Sequence, residues 1–272
     1  MTSMTSPSSA SITTSVVINA RPEVVWRFLS DQNRLLAWIT YLPGAPTPPG
    51  SVFEPRSGGT LKIVFPNKIE ARGQVVEVDP PHRLVFTWGY EPDLAKTGLR
   101  PGSCRVEVAL QPVPGGTRVT LTHSGPMSEE TARAHEGGWR HYLSQLALQA
   151  SQEAHQAHLA GSLRAWFDAW NQPDDAAREQ LLASCCAPDV HLRTPFNCAD
   201  GLTELSAAIA SGLRHMPGVT LAQNGVVRHL HGYARVPWKV GPASGKPMFT
   251  GENFVAFDPD GKITGVVGFA EG

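Results

Sequence analysis

The sequence has 272 residues, 41% of them hydrophobic and 17% charged, a globular balance that allows one large domain or two of ordinary size. Its 23 Lys and Arg against 24 Asp and Glu leave a net charge of −1, so no electrostatic pull toward nucleic acid or an anionic membrane is expected. No apolar run reaches the roughly 18 to 20 residues that span a bilayer.

The first fifteen residues, MTSMTSPSSASITTS, contain neither the basic nor the apolar region of a secretory signal. Residues 1–11 read as a disordered tail, and a cytoplasmic location is expected. Cys104, Cys185, Cys186 and Cys198 form no C-x-x-C pair, so no zinc cluster is expected. Adjacent Cys185 and Cys186 read as free thiols rather than as a strained vicinal disulfide.

A short strand at 16–19 leads into a helix opened by Pro22, where a missing N–H costs nothing, with Val25, Phe28 and Leu29 on one face. A second short helix spans Asp31 to Trp38, ahead of a Pro- and Gly-rich stretch at 43–50. Alternation then marks strands around Leu61–Phe65, Val75–Val78, Leu84–Trp88, Val106–Leu110 and Val119–His123. After Pro126 the period changes. Ser128 suits a helix cap, and Trp139, Tyr142, Leu143 and Leu146 recur at i, i+3, i+4 and i+7, a stripe that needs the preceding sheet as cover.

The segments INARPEVVWRFL (18–29), EPRSGG (54–59), DPPHRLVFTW (79–88), GGTRVTLTHSG (115–125) and HEGGW (135–139) occur in order. Together they resemble the bacterial Activator of heat-shock protein 90 ATPase-like family, within the START-like (SRPBCC) superfamily, over residues 12–150. The resemblance implies a helix-grip fold, a hydrophobic cavity under the last helix and no obligatory cofactor. The long loop from Gly89 to Ser103 departs from the pattern and reads either as a cover for the cavity mouth or as a plain loop.

In the second half, Leu159, Leu163, Trp166, Phe167 and Trp170 form a helical stripe stopped by Pro173. A helix from Asp174 and a strand DVHLRT follow, then a helix from Gly201 to Met216. Strands are expected at 219–231, 232–240, 247–257 and 262–269, with a D-P-D-G turn at 258–261. Helices followed by a meander are the layout of a cone. The pieces APDVHLRTP (187–195), MPGV (216–219), ARVPW (234–238), GENFVAFDPDGKI (251–263) and VVGF (266–269) resemble the SnoaL-like branch of the nuclear transport factor 2-like superfamily over 159–272. That resemblance implies a pocket inside the cone. The fold expected is therefore two-domain α+β: a START-like domain over 12–152 and a SnoaL-like cone over 159–272.

Candidate lining of the first pocket is Trp38, Phe65, Phe86, Trp88, His123, Trp139 and Tyr142, with plain core as the competing reading for most of them. His123 shares a strand face with Val119 and Leu121 and is able either to bind or move a proton or to sit satisfied at a strand end. For the second pocket the candidates are Trp166, Trp170, His229, His231, Trp238, Glu252, Phe254 and Phe269. His229 and His231, two apart on an expected strand, would share a face. With Glu252 they are weak candidates for a general base or, less so, a metal site; Glu252 paired with Arg235 is the plain alternative. The catalytic aspartates of SnoaL-like cyclases have no counterpart that can be placed here. No G-x-S-x-G, P-loop or G-x-G-x-x-G motif is present.

The expected function is binding of small hydrophobic molecules in two cavities, as carrier, sensor or stress-related accessory protein, without a cofactor. An isomerase, cyclase or hydrolase-like enzyme acting in the cone, and a chaperone ATPase activator-like protein-binding role, are the alternatives. A homodimer through the C-terminal domain is a further expectation.

Overall fold

Residues 1–8 of the expected tail lie outside the described residues, and from Ser9 onward the chain is captured by a ladder. In a computed structural model, which describes residues 9–40, 48–91 and 99–271, strand β1 (Ser9–Ile18) pairs antiparallel with β7 (Gly116–Pro126), from Ser9↔Pro126 to Ile18↔Thr117. Small Ser and Thr residues do not oppose a strand when every backbone group finds a partner, and this pairing overrides the expectation of disorder for residues 9–11. The Pro- and Gly-rich 41–47 and the centre of the expected covering loop, 92–98, lie outside the described residues. The flanks of that loop are joined by the Tyr90 N–H donating to Leu99 O at 3.0 Å.

The chain divides between Ala150 and Ser151 into two units. In the first, β1 is followed by α1 (Pro22–Ser30), α2 (Gln32–Ile39), β2 (Val52–Phe53), β3 (Thr60–Val64), β4 (Glu70–Asp79), β5 (Arg83–Trp88), β6 (Cys104–Val113), β7 and the 28-residue α3 (Glu129–Gln156), whose residues from Ser151 onward belong to the second unit. All pairings are antiparallel, in the order β1-β7-β6-β5-β4-β3-β2. Pro22 opens α1, and the Asp31 carboxylate caps α2 by accepting from Arg34 N at 2.9 Å, a bond worth about 1 kcal/mol. The buried stripe of α3 includes Trp139, Leu143, Leu146, Ala147 and Ala150, and it meets the sheet where Trp139 packs on Trp88 with ring centroids 5.4 Å apart.

The second unit runs α4 (Leu159–Trp170), α5 (Asp175–Cys185), β8 (Cys186–Arg193), β9 (Cys198–Asp200), α6 (Gly201–His215), β10 (Val219–Gln223), β11 (Arg228–Leu230), β12 (Tyr233–Pro242), β13 (Phe249–Phe257) and β14 (Ile263–Glu271). Its sheet has the order β10-β12-β13-β14-β8-β9, with β11 also paired to β12, and only β8 and β14 run parallel. Asp174 caps α5 through Ala177 N at 2.8 Å, and Glu204 accepts from Asp200 N at the start of α6. The expected D-P-D-G turn forms, with Asp258 accepting from Asp260 N and Lys262 N, and Gly261 at φ 78°.

The single strand expected over 219–231 is two strands. Both β10 and β11 pair with β12, but the register slips between Gln223↔Trp238 and Arg228↔Arg235. The slip falls at Pro237, whose missing N–H cannot continue the ladder while its carbonyl still accepts from Asn224 N. Buried side chains between the helices and this sheet, among them Trp166, Leu182, Leu205, Val236, Val255 and Val266, form the core of the unit.

Candidate functional site

In the N-terminal unit the inward faces of the strands and α3 bring together an aromatic cluster. Phe65, Phe86, Trp88, Trp139, Tyr142 and His123 touch in sequence, with ring centroids 5.4 to 6.3 Å apart. Trp38 is as deeply buried, and its indole N–H donates to Phe28 O at 3.0 Å, which ties α2 to α1.

The cluster contains two imidazoles whose tautomers follow from their neighbours. His135 Nδ1 lies 2.8 Å from Thr131 O, and a carbonyl only accepts, so Nδ1 carries the proton. The Tyr90 hydroxyl therefore donates to His135 Nε2, at 3.1 Å, and burial holds that phenol in its protonated form. Conversely, Trp139 Nε1 donates to His123 Nδ1 at 3.0 Å, which places the proton of His123 on Nε2. His123 is fully buried, and this Nε2–H has no acceptor among the described residues. Burial first, then the neighbouring His135, pushes the His123 pKa down to about 3, so the ring is neutral at pH 7.

In the C-terminal unit a cavity of about 390 Å³ lies between α4, α6 and the sheet. Trp166 and Trp170 enter from α4, and Ile209, Gly212 and Leu213 from α6. Leu192, Trp238, Asn253 and Gly268 enter from β8, β12, β13 and β14. Its mouth carries the exposed side chains of Phe196, Met216 and Phe249, with Phe196 and Phe249 6.3 Å apart. The wall includes no Asp, Glu, Lys, Arg or Cys; its one imidazole, His215, is exposed and directs Nδ1 at Ser211 O.

Three of the expected residues, Trp166, Trp170 and Trp238, line this cavity, and five do not. Alternation on β13 turns Gly251, Asn253, Val255 and Phe257 inward, which sends Glu252 and Phe254 to the opposite face. Phe269 faces Glu252 across the ladder and shares that outer face, 56% exposed, with its ring 6.0 Å from that of Phe254. Glu252 is ion-paired with Arg235, whose hydrogen bonds hold the carboxyl below its usual range, opposite to what a general base near neutral pH needs.

His231 does not share a face with His229, because it is not in a strand. His231 at φ 51° and Gly232 at φ 82° form the two-residue turn between β11 and β12, the geometry a hairpin of this hand demands. His229 stacks instead beside His155, 4.8 Å away, and near Phe257, and burial lowers its pKa to about 4. Among the described residues no group of three or more His, Cys, Asp or Glu is placed to hold a metal ion. The Cys185 and Cys186 sulfurs sit 3.7 Å apart as free thiols.

Asn253 is the cavity residue that the pattern reading missed. The signal was available: within GENFVAF it is the polar member of an otherwise apolar alternating face. Tyr90 escaped notice because it lies beyond the end of β5.

The geometry defines an α+β protein of two units, the second holding an apolar cavity with an aromatic wall. Residues 19–149 match the family model described as Activator of Hsp90 ATPase homolog 1-like protein. No curated protein matches the chain. Among solved structures, it is similar to an AHSA1 protein from Silicibacter pomeroyi, at 27% identity over 51% of this chain and 95% of that one, with a TM-score of 0.42. It is also similar to a SnoaL-like family protein from Agrobacterium tumefaciens, at 22% identity over 43% of this chain and 99% of that one, with a TM-score of 0.40. A protein from Chromobacterium violaceum gives 24% identity over 50% and 94%, with a TM-score of 0.41. Among the described residues no helix is long and apolar enough to cross a membrane.

Proposed function

We propose that this chain binds a small apolar molecule in the C-terminal cavity and serves as a carrier, sensor or accessory protein. The observation that carries this reading is a cavity of about 390 Å³ walled by aromatic and aliphatic side chains, whose single ionisable group is exposed at the rim. Acid–base catalysis needs a titratable group within hydrogen-bond reach of the substrate, and His229, His231 and Glu252 all lie off this wall. The aromatic cluster around His123 packs ring on ring and reads as the core of the N-terminal unit. A chaperone-directed accessory role rests on the family match alone and predicts a change in chaperone ATPase rate when the pure protein is added.

Gly212 provides the test. A Cβ added there meets no atom within 4 Å, Gly212 lines the cavity, and it sits in a helix interior, where glycine is unfavourable by up to about 1 kcal/mol. Gly212→Phe is expected to leave the thermal midpoint unchanged or raise it. It should also abolish the co-purified apolar molecule that a native mass spectrum of the freshly isolated wild type is expected to reveal. A molecule retained at full occupancy by the variant would sink the cavity reading.

The outer face of the C-terminal sheet carries Tyr233, Phe254, Val267 and Phe269, all exposed, around the Arg235–Glu252 pair. We propose that this exposed apolar face packs against a second copy of this chain. Sedimentation should give a dimer that Phe269→Glu converts to monomer; a monomeric wild type at high concentration overturns the pairing.

A further inference from the structure

Resting on the cavity reading above, we propose that Asn253 sets the specificity of the C-terminal cavity and that its ligand is a flat, uncharged ring compound bearing a carbonyl-type acceptor. Asn253 is only 7% exposed, lines the cavity, and makes no side-chain hydrogen bond among the described residues. The amide therefore faces the cavity with its hydrogen-bonding capacity unspent, where a leucine of similar size would offer none, and a polar group on a guest would use it.

The backbone opposite is arranged around this amide. Asn253 pairs with Gly268 across the β13–β14 ladder, and a Cβ at 268 would stand 2.6 Å from Asn253 Oδ1 and 3.0 Å from Thr194 Cγ2. Glycine at 268 is what leaves the amide room to lie against the wall. With Oδ1 turned toward Gly268, the amide's donor capacity is what remains for a guest.

The rest of the wall selects the guest's chemistry. The rings of Trp166, Trp170 and Trp238 form much of the wall while their indole nitrogens are buried behind it, and the lining carries no fixed charge. A charged guest would leave its charge unpaired in an apolar wall, which excludes it energetically. Flatness follows from the tilted Trp166 and Trp170 rings, 5.8 Å apart, whose faces favour stacking on a planar guest.

The test compares two probes of the same shape, 9-fluorenone and fluorene, which differ in one carbonyl, titrated into the full chain and its variants by calorimetry. Wild type is expected to bind fluorenone about tenfold more tightly than fluorene, the worth of one buried hydrogen bond. Asn253→Leu should bring the two affinities together, with fluorene binding no weaker than before and the thermal midpoint not lowered. Equal affinities in the wild type overturn the role of Asn253 and leave the cavity reading standing. If neither probe binds the wild type, the flat-ring assignment falls, and the native mass spectrum above decides the cavity reading separately. A preference for fluorenone that survives in Asn253→Leu also overturns the assignment.

Discussion

Acidification from pH 7 to pH 3 is expected to remove on the order of 4 kcal/mol of stability from the N-terminal unit through His123 alone. The unfolded imidazole titrates near 6.5, while the folded one, buried and facing His135, titrates at about 3. Between those values the unfolded chain binds the extra proton. The contribution is therefore fully present above pH 6.5 and drains away as pH falls toward 3. His135 adds to the effect in the same direction, since burial also lowers its pKa. The groups facing His123 are the Trp139 indole and the His135 ring, and neither supplies a negative charge to compensate. His123→Phe should lower stability at pH 7 by about 1–3 kcal/mol, because the Trp139 N–H loses its acceptor, yet flatten the acid limb. Urea midpoints at several pH values, read by tryptophan fluorescence on the full chain, decide the matter. Parallel acid limbs for wild type and variant would show that His123 is not the titrating group.

The second large effect concerns a cation in the core of the C-terminal unit. The Arg178 side chain is 2% exposed, and its guanidinium spends every arm on a neighbour. Nε donates to Ser206 Oγ at 3.1 Å, one terminal nitrogen to Gln172 O at 2.9 Å, and the other to Asp175. The bonds tie α5 to the end of α4 and to α6. Arg178→Ala strands the buried carbonyl and hydroxyl as well as opening a void, and about 3–5 kcal/mol of stability should be lost. Arg178→Lys keeps the charge but not the planar fork, and an intermediate loss is expected. Because α6 contributes Ile209, Gly212 and Leu213 to the cavity, the alanine variant should also weaken ligand uptake. A change below 1 kcal/mol in chemical denaturation would refute the account of Arg178 as the tie between these helices.

Periodicity was sufficient for most elements, because each strand and helix here buries one face. It placed the α3 stripe, the α4 aromatics and the β12–β14 meander, and with them Trp166, Trp170 and Trp238. It failed where backbone conformation, not hydrophobicity, decides the outcome. His229 and His231 look like same-face neighbours until residue 231 adopts φ 51° and ends the strand. Pro237 lies in β12, yet its effect is felt by the partner, where it splits one expected strand into β10 and β11. Phe254 and Phe269 were assigned to the cavity on residue type alone, although alternation from Val255 and Val266 already directs them to the other face. Residues 9–11 were hidden for a further reason: the strand that orders them, β7, lies more than a hundred residues away.

The two glycines of the cavity wall make its capacity adjustable in small steps. At 212 an added Cβ meets open space, so a graded series of larger side chains there should reduce the room for a guest while leaving the polar anchor alone. At 268, by contrast, the first methyl already presses on the Asn253 amide, so volume and chemical preference change together. An engineer wishing to shrink this cavity would begin at the helix, and one wishing to change its chemistry would begin at the hairpin.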